Sequence, residues 1–398
     1  MTGPPTPLPP DEPSRPARPR LAGMQWRRAV VCVLGMLTLV GAAACTTPPS
    51  PTQPPSAAAL TTGPDPAPAT TSALPGLIRP PATAGAPTPS ARVHLTAAGD
   101  YGATAATGGV LRALGASGSD AHFALGDLSY GSPGGEASWC SFVTSRLGVG
   151  FPFELLAGNH ESDGSNGSID RFAACLPNRL GGAVGQYAHQ YYVDLPRSTP
   201  LVRVVLVSPG LTFPDGTWSY AEGSARYAWT ADAIDGARRA GIRWVVVAMH
   251  EPCLSMGRYG CSSGPDLQHL LVSKRVDLVL SGHEHLYQRT KQLREGAGCA
   301  RVTVGSYSPA CVADADTSMV AGAGTVFATV GTGGVALRQV ATADPERGYF
   351  AAASGTGSKP TYGFADLRVT SDELRYSFVR GAGGGFTDSW VLRRTPSL

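Results

Sequence analysis

Residues 121–130 read AHFALGDLSY, an apolar run that stops abruptly at Gly126 and Asp127. Four other apolar runs stop in the same way, each at a cluster of Asp, Asn or His side chains. They are Val93 to Ala98, Phe153 to Ala157, Trp244 to Met249 and Val276 to Leu280. Short apolar runs that alternate with helical stretches are typical of βαβ units. The sequence therefore predicts a layered α/β domain.

The order of these runs also predicts where their polar ends meet. In α/β sheets, ligands bind beyond the carboxyl ends of the strands, so the five polar clusters should converge on one site. Two later stretches, Thr325 to Val330 and Tyr362 to Arg380, are predicted to be antiparallel strands that complete the sheets. Residues 92–398 contain no internal repeat or second linker, so we expect them to form one domain.

The overall composition argues against a protein that binds nucleic acids. The 398 residues carry a formal net charge of +3, and only 15% of them are charged. This composition does not predict the concentrated basic surface that nucleic-acid binding needs. Two glycine-rich stretches, 322–324 and 331–334, lack a Walker lysine and a dinucleotide-binding pattern. We expect them to be turns beside the active site.

Residues 1–45 have the features of an export signal. Arg27 and Arg28 precede an apolar run from Ala29 to Val40, and small residues follow up to Cys45. The alternative is a transmembrane helix, but the apolar run is shorter than the roughly 20 residues that such a helix needs. The last four of these residues, AAAC, resemble a bacterial lipobox in which alanine replaces the usual leucine. We therefore predict an N-terminal extension and a lipoprotein-type signal peptide.

Residues 46–91 are mainly Pro, Thr and Ala, with no hydrophobic periodicity. Such a segment cannot bury enough apolar surface to fold, so it is predicted to be a disordered tether. A lipid on Cys45 would then anchor the body to the outer face of the cell membrane, with secretion as the alternative. The sequence does not predict an oligomeric state.

The cysteines of the body agree with export to an oxidising compartment. Six of them form an even set with no CxxC motif, so disulfides are favoured over a zinc site. Six cysteines allow fifteen sets of pairs. Sequence order predicts three local loops: Cys140 with Cys175, Cys253 with Cys261, and Cys299 with Cys311.

Five short motifs follow the five apolar runs. In chain order they are Gly99-Asp100-Tyr101-Gly102, Gly126-Asp127-Leu128-Ser129-Tyr130, Gly158-Asn159-His160-Glu161, Val247-Ala248-Met249-His250 and Gly282-His283-Glu284-His285. Each motif alone is a common turn, cap or structural histidine. Together they offer the oxygen and imidazole ligands that a two-metal hydrolase requires.

This set of motifs resembles the calcineurin-type metallophosphoesterase superfamily and, within it, the purple acid phosphatases. Gly102 stands where many members of the superfamily have a histidine ligand, and Tyr130 completes the GDxxY motif of the purple acid phosphatases. Residues 282–289, GHEHLYQR, and the segment from Tyr362 to Ser389 are also similar to that family. The resemblance implies two packed mixed β-sheets flanked by helices.

The resemblance also implies a set of metal ligands. Asp100, Asp127, Tyr130 and His285 would bind Fe(III), whereas Asp127, Asn159, His250 and His283 would bind Fe(II), Zn(II) or Mn(II). Asp127 would bridge the two ions, since a carboxylate can span cations roughly 3.5–4 Å apart. Imidazoles suit iron, zinc and manganese, and a phenolate favours a hard trivalent ion. The glycine before the two HxH histidines fits an irregular turn.

The implied activity is hydrolysis of phosphate monoesters by a hydroxide that the two metals generate from bound water. His160 is similar to a family histidine that faces the substrate, where it could protonate the leaving alkoxide or bind phosphate. The alternative is a structural histidine held by a carboxylate such as Glu161. The plant members place further histidines in the loop after the fourth motif, but here Arg258 or Tyr259 is the candidate for substrate contact.

Two other functions remain open on the sequence. One is a phosphodiesterase that acts on nucleotide or cell-wall esters, and the other is a catalytically silent surface lipoprotein that binds a partner. The presence of every implied ligand and of His160 argues against the silent protein. Four histidines fit no motif and are predicted to be ordinary packed or surface residues: His94, His122, His189 and His269.

Overall fold

The structure, a computed structural model, describes residues 91–395 of the chain. The predicted signal peptide, Cys45 and the tether up to residue 90 lie outside the described residues. Among residues 91–395, no helix combines the length and the apolar character that a membrane span requires.

Strands and helices alternate through the first two thirds of the described residues, and strands dominate the rest. The strands, in chain order, are β1 (Val93–Ala98), β2 (Ala121–Leu125), β3 (Phe153–Leu156), β4 (Val184–Gln186), β5 (Gln190–Leu195), β6 (Val202–Leu206), β7 (Thr212–Phe213), β8 (Gly216–Thr217), β9 (Trp244–Ala248), β10 (Leu278–Ser281), β11 (Tyr287–Thr290), β12 (Gln292–Leu293), β13 (Val312–Asp314), β14 (Ser318–Val320), β15 (Val326–Val330), β16 (Phe350–Ser354), β17 (Thr361–Val369), β18 (Glu373–Gly383) and β19 (Ser389–Arg393). The α-helices are α1 (Ala105–Ser117), α2 (Glu136–Leu147), α3 (Asn159–Ser162), α4 (Ile169–Cys175), α5 (Ala225–Arg239) and α6 (Pro265–Ser273). Short 3₁₀ helices lie at Pro309–Cys311 and Arg347–Tyr349.

Two large mixed sheets form the body. The first has the strand order β14-β19-β18-β17-β1-β2-β3, and the second has the order β16-β11-β15-β10-β9-β6-β5-β4. Each contains a parallel set, β1-β2-β3 in one sheet and β6-β9-β10-β15 in the other. Helices α1 and α2 connect the strands of the first set, and α5 and α6 connect β6, β9 and β10. One hydrophobic core takes side chains from both sheets, which confirms the predicted fold class.

The five predicted strands that precede the motifs all exist, with small differences at their ends. The third and fourth end one residue earlier than predicted, and β10 begins at Leu278 rather than at Val276. The N–H of Val276 donates to the carbonyl of Leu271 at 3.1 Å, so this residue still belongs to the turn after α6. Strands β17 and β18 are antiparallel as predicted. The prediction for β15 was wrong in part, because β15 runs parallel to β10 and antiparallel to β11.

The three predicted disulfides are confirmed. Cys140 of α2 pairs with Cys175 at the end of α4, and Cys299 pairs with Cys311. The third bridge, between Cys253 and Cys261, closes the loop that follows His250. A disulfide restricts the conformations open to the chain between its two cysteines, so this loop is held close to the end of β9.

Glu154, in the middle of β3, gives a prediction about stability. Its side chain is buried, Oε1 accepts the N–H of Arg179 at 2.9 Å, and Oε2 has no hydrogen-bond partner among the described residues. Burial raises the pKa of Glu154 to about 7 from an ordinary value of 4.5. The neutral carboxyl therefore stabilises the fold fully below pH 4.5, and this contribution is lost as the pH rises through about 7.

We expect Glu154→Gln, which cannot ionise, not to lose stability in this way as the pH rises. Its free energy of unfolding, relative to that of the wild type, should rise between pH 5 and pH 8 by at most about 3 kcal/mol, since one pKa unit corresponds to about 1.4 kcal/mol. Unfolding curves of both proteins at the two pH values measure the change. Glu222→Gln, at an exposed position, is the control. A difference between wild type and Glu154→Gln that does not vary with pH would contradict the assignment of the penalty to this carboxylate.

Candidate metal centre

The side chains predicted from the five motifs meet where parallel strands of both sheets end. Asp100 lies two residues beyond β1, and Asp127 lies two residues beyond β2. Asn159 begins α3 directly after β3 and its short connection. His250 and His283 lie two residues beyond β9 and β10. The polar residues that follow the strands of both sheets thus lie close together, as the strand pattern predicted.

One group of side chains surrounds the hydroxyl of Tyr130. The Tyr130 Oη lies 2.8 Å from Asp127 Oδ2, 3.1 Å from Asp100 Oδ1 and 3.0 Å from His285 Nε2. Asp100, Asp127 and His285 can each offer one ligand atom so that all of these atoms lie within 4.8 Å of one another. Two carboxylates, a phenol and an imidazole are thus arranged around a single point.

A second group shares Asp127 with the first. Asn159 Oδ1 lies 3.0 Å from both His250 Nε2 and His283 Nδ1, and these two nitrogens are 3.2 Å apart. Asp127 Oδ1 lies 3.2 Å from His250 Nε2. The oxygens of Asp127 therefore face both groups, which is the arrangement that a bridging carboxylate requires.

The donor atoms suit a pair of transition-metal ions. Carboxylate, phenol, amide and imidazole donors converge from the two groups, and two of the donor sets meet the distance limits for holding an ion. The two sets share one carboxylate, which supports a binuclear site. The division into Asp100, Asp127, Tyr130 and His285 on one side and Asp127, Asn159, His250 and His283 on the other matches the predicted division. That these residues bind metals stays a prediction.

Backbone conformation at the ligand positions explains how the side chains reach the centre. Asp100, Asp127, Tyr130 and His283 have positive φ values of 63°, 53°, 51° and 68°. Such values cost about 1–3 kcal/mol for a residue other than glycine and concentrate at functional sites. They turn the chain sharply after each strand, so that the side chain points back toward the centre. The irregular turn predicted around His283 is therefore present.

Close backbone packing keeps the turns in place. A Cβ atom on Gly158 would lie only 2.1 Å from Asp127 Oδ1, so a glycine is required there. The buried carboxylate of Glu161 accepts the N–H groups of Asp127 at 3.1 Å, Leu128 at 2.6 Å and Gly158 at 3.1 Å. Glu161 thus fixes the turn that carries the shared ligand.

Backbone carbonyls orient two of the imidazoles. His250 Nδ1 lies 2.7 Å from the carbonyl of Leu125, and His285 Nδ1 lies 3.1 Å from the carbonyl of Ala336. In each ring this contact favours a proton on Nδ1 and leaves Nε2 free to face the centre. Metal-binding histidines in proteins commonly donate their second ring N–H to a backbone carbonyl or a carboxylate in this way.

The charge balance of the centre also favours a cation. Burial raises the pKa of Asp100 to about 7. Burial alone would also raise the pKa of Asp127, but His250 holds it below its ordinary value. Burial would lower the pKa of His250, but the charges of Asp127 and Asp100 outweigh burial and raise it to about 10, so without an ion His250 carries the positive charge of the centre. Burial lowers the pKa of His285 to about 3, with help from Arg338, and burial together with His250 lowers the pKa of His283. His283 and His285 are therefore neutral at pH 7, which is the form that binds metals, whereas His250 would release its proton when an ion binds.

His160 lies on the open side of this centre. Its side chain is 25% exposed, its Nε2 lies 3.6 Å from Asp127 Oδ2, and its ring centroid lies 4.6 Å from that of Tyr130. The alternative in which Glu161 holds His160 is wrong, because the carboxylate of Glu161 accepts backbone N–H groups. Instead, Nδ1 of His160 is hydrogen-bonded to Oδ1 of Asn166, whose Nδ2 donates to the carbonyl of Gly131 at 2.8 Å.

Three residues near the centre were not predicted from the sequence. Asn166 belongs to an Asn-Gly-Ser triplet, which matches a glycosylation acceptor but does not indicate an imidazole partner. Glu284, between His283 and His285, is buried and accepts backbone N–H groups from the loop after β9. Arg338 lies 53 residues beyond His285, the last residue of the nearest motif, so only the fold brings it to the centre.

The two glycine-rich stretches have different positions. A Cβ atom on Gly331 would lie 2.9 Å from Asp100 Oδ2, which confirms that 331–334 is a turn beside the centre. A Cβ atom on Gly324 would lie 2.3 Å from the carbonyl of Leu293, so the prediction for 322–324 was wrong. This second turn joins β14 to β15 and packs against β12 instead.

The four remaining histidines have structural partners. His122 is buried between Tyr101 and Thr96, whereas His94 and His269 pair with Asp366 and Glu295. His189 is buried and packs on Phe213. These contacts agree with the prediction that none of the four belongs to the centre.

Comparison with known proteins agrees with this architecture. Residues 93–287 match the family described as calcineurin-like phosphoesterase. A nucleotide pyrophosphatase/phosphodiesterase of Hordeum vulgare is 25% identical over 293 residues, which are 69% of this chain and 72% of that protein. Purple acid phosphatase 18 of Arabidopsis thaliana is 26% identical over 235 residues, which are 55% of this chain and 51% of that protein. An uncharacterised protein of Mycobacterium tuberculosis is 32% identical over 160 residues.

The matches cover unequal parts of these relatives. The mycobacterial match spans 37% of this chain and only 29% of that protein. Among solved structures, a purple acid phosphatase from yellow lupin (Lupinus luteus) seeds has a TM-score of 0.55 at 18% identity, covering 77% of this chain and 55% of the lupin chain. At that identity the likeness concerns the fold. By its sequence matches, the chain therefore contains a calcineurin-like phosphoesterase domain over residues 93–287, and it is similar in sequence to purple acid phosphatases.

Proposed function

We propose that this chain is an exported two-metal phosphatase that hydrolyses phosphate monoesters. One observation carries the proposal: two groups of ligand atoms share the carboxylate of Asp127. A single structural ion would need only one group. A shared carboxylate is expected where two ions act on one substrate.

The two groups differ in their donors, and this supports different ions. Asp100, Tyr130 and His285, with Asp127, would hold Fe(III), since a phenolate favours a hard trivalent ion. Asn159, His250 and His283, with Asp127, would hold Fe(II), Zn(II) or Mn(II). When bound, the pair would supply an activated water and would neutralise charge on the phosphoryl oxygens.

The side chains of the protein then position the substrate and move its proton. Asp100, Asp127 and His250 are almost fully buried, whereas Asn159 and His160 are partly exposed, so we expect the substrate to approach from their side. Asn166 holds Nδ1 of His160, and Nε2 on the other side of the ring lies 3.6 Å from Asp127 Oδ2, at the proposed metal centre. Nε2 is therefore placed to donate a proton to the leaving oxygen, or to bind a phosphoryl oxygen.

Export is a second part of the proposal. The three disulfides of the described residues support an oxidising compartment. A lipid on Cys45, carried by the signal peptide, would retain the protein at the outer face of the cell membrane, and secretion is the alternative.

The main competing function is phosphodiester hydrolysis. It has support of its own, because the barley relative, whose match covers 72% of that protein, is named a nucleotide pyrophosphatase/phosphodiesterase. Assays of the full chain on p-nitrophenyl phosphate, bis(p-nitrophenyl) phosphate and a nucleotide diester, with metal analysis of the same sample, test the proposal. We expect about two metal ions per chain and faster turnover of the monoester. Faster turnover of diesters would reverse the order of the two functions.

Tyr130 gives a spectroscopic prediction about the first metal. Burial and the charges of Asp100 and Asp127 raise the pKa of Tyr130 well above its ordinary value, so without a cation the phenol stays protonated. Bound Fe(III) would reverse this effect, because an ion is the largest local charge in such a site. The resulting phenolate–iron bond should give a visible charge-transfer band, so the iron-loaded protein should be coloured.

We expect Tyr130→Phe to lose this band, because the variant keeps the ring and removes only the oxygen. Visible spectra of the iron-loaded wild type and variant, at equal iron content, make the comparison. Tyr259→Phe is the matched control, since that ring also contacts a proposed ligand, at 4.3 Å from His283, but lies outside the ligand set. A band that survives Tyr130→Phe, or one absent from the wild type despite bound Fe(III), would remove the proposed role of Tyr130.

A further inference from the structure

Two arginines and a tyrosine lie next to the metal centre but outside its ligand set. The ring of Tyr259 stacks on that of His283, with centroids 4.3 Å apart and planes inclined by 30°. The guanidinium carbon of Arg338 lies 5.0 Å from the centre of the Tyr259 ring, and that of Arg258 lies 5.7 Å from it. One aromatic ring thus connects a proposed metal ligand to two positive charges, at cation–π distances.

The loop that carries Arg258 and Tyr259 is fixed to the turn that carries the HxH histidines. The carboxylate of Glu284 accepts the N–H of Arg258 at 2.9 Å and that of Tyr259 at 2.6 Å. Gly257 packs against the same carboxyl group, since a Cβ atom there would lie 2.1 Å from Glu284 Cδ. The Cys253–Cys261 bridge closes this loop. The loop that carries Arg258 and Tyr259 therefore has a fixed position relative to the two HxH histidines.

Arg338 is fixed to the centre from the other side. Its N–H donates to the carbonyl of His285 at 2.8 Å, and two residues earlier the carbonyl of Ala336 contacts His285 Nδ1. Its Nη1 is buried and has no hydrogen-bond partner among the described residues. Nη1 itself is closed to solvent, but the Arg338 side chain lines an open cleft, so its positive charge and its other N–H groups can meet an anion there.

The two arginines line an open cleft. The cleft has a volume of about 510 Å³, and its lining residues are Gly257, Arg258, Arg338, Gln339 and Ala341. None of these lining residues is acidic. The nearby carboxylate of Glu284 is already occupied by backbone N–H groups, so it does not neutralise the arginines through a direct salt bridge.

We infer that this arginine cleft binds a second phosphate group of the substrate, so that the preferred substrates are phosphate compounds with another phosphate on the leaving side. Arginine forms paired hydrogen bonds to phosphate oxygens, and Tyr259 connects the cleft to the place where the first phosphate would bind. The inference rests on the proposed function, because it takes the metal centre as the site of the first phosphate. Simple monoesters would occupy the centre alone.

Binding of two phosphonates tests this cleft without turnover. Methylphosphonate and methylenediphosphonate contain P–C bonds that a phosphoesterase does not hydrolyse, and titration calorimetry on the full metal-loaded chain gives both affinities. We expect the wild type to bind the diphosphonate about 10- to 100-fold more tightly, as for an added hydrogen bond between charged groups. Arg258→Gln and Arg338→Gln should each reduce this preference by about tenfold. Arg239→Gln, an exposed arginine of α5, removes the same charge and should keep the preference.

A second pair of variants tests the position of the loop. Gly257→Ala places a methyl group against the carboxyl of Glu284 and should reduce the diphosphonate preference, whereas an added Cβ on Gly260 meets nothing within 4 Å. Gly260→Ala should therefore keep the preference. Because Arg258 is exposed, its variant should fold even if Arg338→Gln does not.

Equal affinities of the wild type for the two phosphonates would overturn the inference, as would an equal loss of both affinities in the arginine variants. Hydrolysis of p-nitrophenyl phosphate by the same wild-type sample separates the inference from the proposed function. Turnover without a diphosphonate preference rejects only the cleft. A diphosphonate preference that the arginine variants lose, without turnover of any ester, rejects the phosphatase and keeps the anion site.

Discussion

Replacing Asp127 by Asn is expected to remove both the metal pair and the phosphatase activity. The two oxygens of Asp127 face different groups, with Oδ2 at 2.8 Å from the hydroxyl of Tyr130 and Oδ1 at 3.2 Å from His250 Nε2. A neutral amide cannot bridge two cations or offset their mutual repulsion. Mutation of a residue that only orients a metal ligand typically lowers metal affinity or activity by about 10- to 100-fold. Loss of the shared ligand itself should therefore lower the activity by at least about 100-fold.

Asn is the right replacement because Asp127 has a φ of 53°. Asn tolerates this left-handed conformation better than Ala does, so a loss of function would not reflect a strained backbone. Metal analysis and turnover of p-nitrophenyl phosphate are measured together. Asp232→Asn, at an exposed position of α5, is the matched control and should keep both metals. If Asp127→Asn kept two metals per chain and near-normal turnover, the proposed division of ligands would be wrong.

The ligand residues could be predicted because their signals are local. A strand, a glycine and an acidic residue occupy a few consecutive positions, as in Leu125, Gly126 and Asp127, and the carboxyl ends of parallel strands meet at one edge. The same holds for the disulfides, because the six cysteines of the body pair in chain order, first with second, third with fourth and fifth with sixth. No proposed ligand follows strand β6. The pattern that predicted its neighbour β9 therefore did not predict β6.

The surroundings of the centre could not be predicted because they depend on contacts between distant segments. Arg338 reaches His285 through a backbone hydrogen bond across more than fifty residues of sequence. Asn166 lies only six residues from His160, yet nothing in its own triplet distinguishes an imidazole partner from a surface asparagine. A carboxylate such as Glu161 looks like a partner for the histidine beside it. The structure shows it bound to backbone N–H groups instead.

His160→Ala is expected to keep the metals but to slow hydrolysis, most of all for poor leaving groups. His160 Nε2 lies 3.6 Å from Asp127 Oδ2, so the ring is close to the proposed ligands without belonging to either group. A general acid typically contributes about 10²- to 10⁴-fold. Alkyl phosphates, whose alkoxides need a proton, should show a loss near the upper end of this range. The loss for p-nitrophenyl phosphate should be much smaller, because its phenolate leaves without help.

Two further variants separate proton donation from simple contact. Asn166→Ala keeps the imidazole but removes the partner of Nδ1, so it should show the same dependence on the leaving group with a smaller loss. His269→Ala, which removes a partly exposed histidine of α6, should show no such dependence. An equal loss in His160→Ala for alkyl and p-nitrophenyl phosphate would instead assign His160 to phosphate binding, because a contact with the phosphoryl oxygens serves all esters alike.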